Sequence, residues 1–181
     1  MRYPKNKMKE TFLLLFLIYS MDLSGSNDLE NITPKKIQSS GFLKIKNSKV
    51  DTLNGNGDIN IDGTNIKELI SNGFLSITQS KIGCVDHSGT AFFQDVIIDS
   101  ANVTGVLKIH KGTYKKIEYH GSRLELKNIH AETVVIYPDR DQYTDVFISK
   151  GSIIQKLVLK GKNIRVMKDS GSQINERVLK A

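Results

Sequence analysis

The sequence predicts an all-β fold: a single-stranded parallel β-solenoid (β-helix) of about 16-residue coils, preceded by a signal peptide. Three observations carry this. Glycine falls at Gly41, Gly57, Gly73, Gly89, Gly105 and Gly121, six times at a spacing of 16. Apolar residues keep fixed places relative to those glycines. A basic stretch and then a short apolar block open the chain.

Residues 1–26 read as the signal peptide. Arg2, Lys5, Lys7 and Lys9 outweigh Glu10, and the uncharged run Thr11–Met21 follows. As a helix that run spans about 16 Å, short of the roughly 20 residues that cross a bilayer. Ser24-Gly25-Ser26 offers small residues for cleavage before Asn27. The alternative is a buried N-terminal helix or strand. Cleavage leaves 155 residues with 22 basic and 17 acidic side chains, so the basic balance belongs to the folded part.

Residues 27–40 are expected to lead into the first coil as an N-terminal cap. Residues 41–136 carry the regular coils. Counting each glycine as position 1, position 3 holds Leu43, Ile59, Leu75, Ala91 and Leu107. Position 5 holds Ile45, Ile61, Ile77, Phe93 and Ile109. Positions 10 and 13 are likewise apolar, from Val50 to Tyr114 and from Leu53 to Ile117. Positions 3 and 5 differ by two, the side-chain period of a strand, and position 4 between them is mostly polar. A polar residue before each glycine is turn chemistry. A helix is excluded by the recurrent glycine, the β-branched interior and the missing 3.6-residue stripe. The apolar side chains of one coil cannot offset the entropy of ordering its backbone, so coils must stack.

The frame slips near Gly121, where Leu124 and Leu126 come one place late. Residues 137–144, Tyr-Pro-Asp-Arg-Asp-Gln-Tyr-Thr, form a charged loop. Asp139, Arg140, Asp141 and Tyr143 make it a candidate interaction loop, because loops on rigid scaffolds often carry function. The plain alternative is a connecting loop. Residues 145–181 are expected to form irregular terminal coils and a polar cap, giving a rod of seven to eight coils, roughly 35 Å long.

Composition narrows the chemistry. One cysteine and no tryptophan in 181 residues exclude a disulfide scaffold and a multi-cysteine metal site. His87, His110, His120 and His130 occupy positions 15, 6, 16 and 10, so they share no column. They are expected at the surface or in turns, and no cofactor or metal site is expected. Asp95 and Asp99 lie on one coil opposite Lys111 and Lys115 of the next, which predicts solvated cross-coil ion pairs. The other possibility is a carboxylate pair for glycoside cleavage. Of 26 cations only five are arginine. The lysines (Lys44, Lys46, Lys49, Lys108, Lys111, Lys115, Lys116) show no interleaved aromatics along the sequence, so no nucleic acid is expected. A basic face suits an anionic glycan or another cell-surface component.

GFLKIKNSKV, GDINIDGTNIKEL and GFLSITQSKI resemble bacterial repeat β-solenoids. Over residues 41–136 the Gly-punctuated coils resemble the polymer-forming bactofilins. LNGNGDINIDG is similar to adhesin-type head GIN domains, which are exported β-solenoids. The resemblance implies a scaffold or adhesin and no catalytic residue. Bactofilins are cytoplasmic, whereas the leader here favours export to the periplasm, the outer surface or the medium. The expected function is therefore a non-catalytic structural, adhesive or surface-interaction protein. The alternatives are a bactofilin-like scaffold that self-associates through coil ends, and a carbohydrate-active solenoid enzyme.

Overall fold

The structure, a computed structural model, describes residues 20–139 and 142–180. Residues 1–19 of the predicted leader, and Arg140 and Asp141 of the predicted loop, lie outside them. The elements are β1 (Met21–Glu30), β2 (Lys36–Lys46), β3 (Lys49–Asp62), β4 (Asn65–Thr78), β5 (Lys81–Tyr137), β6 (Thr144–Ser149), β7 (Ile153–Lys160), β8 (Ile164–Lys168) and β9 (Gln173–Lys180). All pairing among them is parallel. β5 is a strand path of 57 residues that winds round several coils without a break.

The register restates the repeat. Met21 lies beside Ile37, Ile37 beside Leu53, Leu53 beside Leu69 and Leu69 beside Val85, each 16 residues on. The predicted inward positions are all inside: Leu43, Ile45, Val50 and Leu53 are fully buried, and their counterparts up the stack follow. Like residues stack on like at the strand spacing of about 4.8 Å.

Each coil turns at more than its glycine. Gly73 has φ +109, a conformation L side chains rarely adopt, and a Cβ there would lie 2.6 Å from the Gly57 carbonyl oxygen. A second bend falls at position 7, where Asn31, Asn47, Gln79, Asp95 and Lys111 take left-handed φ of 47–66°. A third falls at position 11, where the ladder skips from Val50↔Ile66 to Thr52↔Glu68. Gly121 is the exception among the six predicted corner glycines. It continues the column beneath Gly105 without the left-handed φ of the other five.

The one-residue slip near Gly121 has a physical cause. Tyr119 is fully buried, and its hydroxyl donates to the Gly105 carbonyl (2.5 Å) and accepts the Arg123 amide (2.9 Å). The phenol thus satisfies backbone groups that the extra residue displaces. Leu124 and Leu126 then resume the inward places.

Three expectations change in extent. The coils begin earlier than residue 41: β1 lies along β2, with Gly25 beside Gly41. Residues 21–26, read as the end of the leader, and residues 27–30 of the lead-in therefore lie within a coil. The terminal segment 145–181 is also more regular than expected. Its coils stay parallel but lengthen, with Thr144 beside Ile164 and Ile153 beside Gln173. The coil carrying residues 137–144 is the longest, pairing Arg123 with Asp145 and His130 with Ile153. The rod has about 10 turns instead of seven to eight, or about 48 Å at the strand spacing.

Candidate functional site

Two inward columns were not legible as such. Position 8 carries Ser48, Thr64 and Ser80, all buried. Each hydroxyl donates to the carbonyl two residues back: Ser48 to Lys46 (2.6 Å), Thr64 to Asp62 (2.8 Å) and Ser80 to Thr78 (2.6 Å). Each also accepts an amide from the coil before, from Ile32 (3.1 Å), Ser48 (3.3 Å) and Thr64 (3.0 Å). The ladder pairs backbone groups that the bend would otherwise leave unmade, so it is structural.

Position 15 also points inward, which corrects the expectation for His87. This histidine is 2% exposed, and its Nδ1 lies 2.9 Å from Ser71 Oγ. Burial holds its pKa below the usual 6.5, against weaker opposing pulls from the backbone of Thr90 and Ser71 and from Asp86. Its Nε2 has no partner among the described residues. The other histidines sit at the surface, where His120 stacks on Tyr137 at 4.1 Å.

Asp95 and Asp99 face outward, each held by the next coil: Asp95–Lys111 at 2.9 Å and Asp99–Lys115 at 2.7 Å. Asp51–Lys67 repeats the arrangement at 2.8 Å. The Lys115 ammonium holds the Asp99 carboxyl below the usual carboxylate range. A carboxylate so held is a poor proton donor at neutral pH.

The predicted loop is anchored through its backbone. The Asp139 amide donates to Thr144 Oγ1, whose hydroxyl donates to the Gly121 carbonyl at 2.7 Å. Tyr143 is exposed beneath the Arg165 guanidinium, 5.0 Å from its ring centre, and Arg165 is clamped by both oxygens of Asp145. Asp139 and Tyr143 therefore sit in separate local networks.

The most distinctive surface lies elsewhere, on the outward positions 2, 4 and 6. Phe42 and Phe74 at position 2 are exposed, and Phe92 and Phe147 face the same way at position 4. Phe74, Phe92 and Phe147 join cations into a ridge, while Phe42 stands two coils from Phe74 with Asp58 between them. Phe74 meets Phe92 at 5.5 Å, and Lys108 lies 5.7 Å over Phe92. Glu125 bridges Lys108 (3.6 Å) and Arg123 (2.6 Å), and Arg123 lies 5.1 Å over Phe147. The lysines lack interleaved aromatics along the sequence, but in space Lys108 meets Phe92, because residues far apart in sequence become neighbours one coil apart. Beside the ridge runs a groove of about 460 Å³, with Ser76, Thr78 and Gln94 among its polar groups and His110 and Lys127 further along.

Even-numbered positions at Phe74 and Phe92 signalled outward rings. The place of Phe147 depends on the length of the loop-bearing coil, which no repeat arithmetic supplies. A second, more open groove lies over positions 14 to 16 of the first coils, among Gln38, Asn54, Asn56 and Asn72. Leu23 and the exposed Ile70 line it alongside amides and hydroxyls, and among the described residues Asp22 is the one charged residue of its lining.

A scan against protein-family models, a search of curated proteins and a search of solved structures each returned no match.

Proposed function

We propose that this chain is a non-catalytic, exported β-solenoid that acts by presenting a side-chain face to another surface component, in a structural or adhesive role. The observation that carries the reading is the ridge of outward phenylalanines and cations. Burying aromatic rings is among the larger gains a fold can make. A protein that leaves Phe42 and Phe74 exposed and Phe92 and Phe147 only half-buried on one face forgoes part of that gain, and exposed apolar surface marks interaction sites. A parallel stack suits such a task, because its inward ladders hold the outward columns at fixed spacing.

Export rests on the basic and apolar opening of the chain. Cleavage before Asn27 shortens β1 to residues 27–30 and leaves β2 as the first full strand. The test is N-terminal sequencing of the protein recovered from each cell fraction, with cosedimentation of the purified protein on washed cell envelopes. A processed N-terminus outside the cytoplasm and retention by envelopes are expected. Full-length protein confined to the cytoplasm overturns export, and free passage past envelopes overturns the surface role.

A second reading is a scaffold assembled through coil ends. Among the described residues, β1 pairs only with β2, β8 only with β6 and β9 only with β7. Met21, Leu23 and Leu29 at one end, and Ile164, Val166 and Ile174 at the other, are only partly buried. Open parallel edges with apolar inward residues can continue the stack through a second copy. Concentration-dependent sedimentation into rods supports this reading, and a monomer at high concentration refutes it.

A further inference from the structure

We propose that the groove beside the Phe92–Phe147 ridge binds an acidic polysaccharide of low charge density, one carrying about one carboxylate per disaccharide. The proposal rests on the surface-interaction reading and names its ligand class.

Three features of the groove fit such a chain. First, pyranose rings present C–H faces that pack on aromatic rings, and the ridge offers Phe74 and Phe92 in contact and Phe147 further along the rod. Lys108 and Arg123 lie over two of these rings, so one ligand can meet a ring and a cation at adjacent sites. Second, a sugar carries hydroxyls at every residue. Ser76 and Gln94 supply donors and acceptors to match them, Thr78, whose hydroxyl donates to Asp62, can accept, and Glu125 accepts from hydroxyls. Third, the charge is positive but sparse. Lys108 and Arg123 are both bridged by Glu125, with Lys127 in the same groove. That balance suits a ligand with occasional carboxylates.

The same balance disfavours a nucleic acid strand. A phosphodiester backbone carries one charge per nucleotide and draws its affinity from dense, uncommitted cations. Glu125, lodged between the two central cations, opposes it. The groove crosses successive coils from Ser76 and Phe92 through Lys108 to Glu125 and Phe147. An extended polymer along the rod therefore meets a new contact at about every 4.8 Å.

The test is calorimetric titration of the full chain with hyaluronan, with neutral dextran and with a single-stranded thymidine oligonucleotide. Hyaluronan is expected to bind, more weakly as salt rises, and dextran to bind far less. Phe92→Ser and Phe147→Ser are each expected to lose roughly tenfold in affinity. Both rings point outward but are half-buried, so a modest fall in urea midpoint is expected with the folded far-UV spectrum retained. Lys127→Glu, which removes no packed ring, is expected to weaken binding as well. The proposal is overturned if hyaluronan does not bind, if dextran binds equally, if the variants bind like the parent, or if the oligonucleotide binds more tightly. Envelope retention without hyaluronan binding overturns this ligand class and leaves the surface role standing. Hyaluronan binding without envelope retention supports the groove and overturns the surface role.

Discussion

Gly73→Ala tests the stacking geometry most directly. The backbone at Gly73 has φ +109, and an added Cβ would lie 2.6 Å from the Gly57 carbonyl oxygen. Real Cβ atoms essentially never approach closer than 3.0 Å, so β3 and β4 must part by about 0.4 Å at this point. The obstacle is backbone, which cannot swing aside as a side-chain tip does. Forcing an L residue into such a φ costs about 1–3 kcal/mol, and disturbing a ladder hydrogen bond adds about 1 kcal/mol. A loss of about 3 kcal/mol follows. With a urea m-value of about 2.5 kcal/mol per molar, the midpoint falls by about 1 M. Gly151→Ala is the matched comparison. Gly151 has φ +74, and a Cβ there meets nothing within 4 Å. It should lose only the left-handed strain, about 1 kcal/mol. Urea melts followed by far-UV circular dichroism measure both. Equal midpoint shifts in the two variants would refute the claim that close approach between coils, and not φ alone, demands glycine in this column.

His87 makes stability pH-dependent. Burial lowers its pKa below 6.5, so the unfolded chain takes up the proton first. Its contribution is full above about pH 6.5 and declines as pH falls below it. His87→Leu should flatten that slope in urea midpoints taken between pH 7.5 and about 5, whatever it does to stability at neutral pH; an unchanged slope counts against the assignment. Tyr119→Phe leaves the Gly105 carbonyl and Arg123 amide without their shared partner and should cost about 1–3 kcal/mol by chemical denaturation. Thr64→Val keeps the volume but removes the hydroxyl that serves Ser48 and Asp62, with a similar expected loss of about 1–3 kcal/mol. A neutral result at Thr64 would show that the position 8 ladder is dispensable. Asp99→Asn, which breaks an exposed ion pair, should leave the melting temperature unchanged within error.

Much of the fold is legible in the residues. Leu43, Ile45, Val50 and Leu53 and their counterparts recur every 16 residues, and hydrophobic burial leaves such a pattern few alternatives to a stack. The cross-coil pairs Asp95–Lys111 and Asp99–Lys115 follow from the same arithmetic, since a residue 16 places on is the spatial neighbour. The candidate site was less legible. His87 reads as a surface or turn residue because it is polar, and Ser48, Thr64 and Ser80 give no inward signal, yet all four point inward, the hydroxyls paired with backbone groups at the bend and His87 Nδ1 with the Ser71 hydroxyl.

The sequence by itself determined the repeat length, the parallel stack and the inward apolar columns, because burial of side chains at period two is a local property. Only the tertiary structure decided where the irregular coils rejoin the stack. The slip absorbed by Tyr119 brings Arg123 and Glu125 beside Lys108, and the long coil across residues 137–144 brings Phe147 beside Glu125 and Arg123. That juxtaposition depends on coil lengths set by loop closure and hydrogen bonding, and no periodicity encodes them. The face proposed to bind a partner exists because those unequal coils still keep one register across the rod.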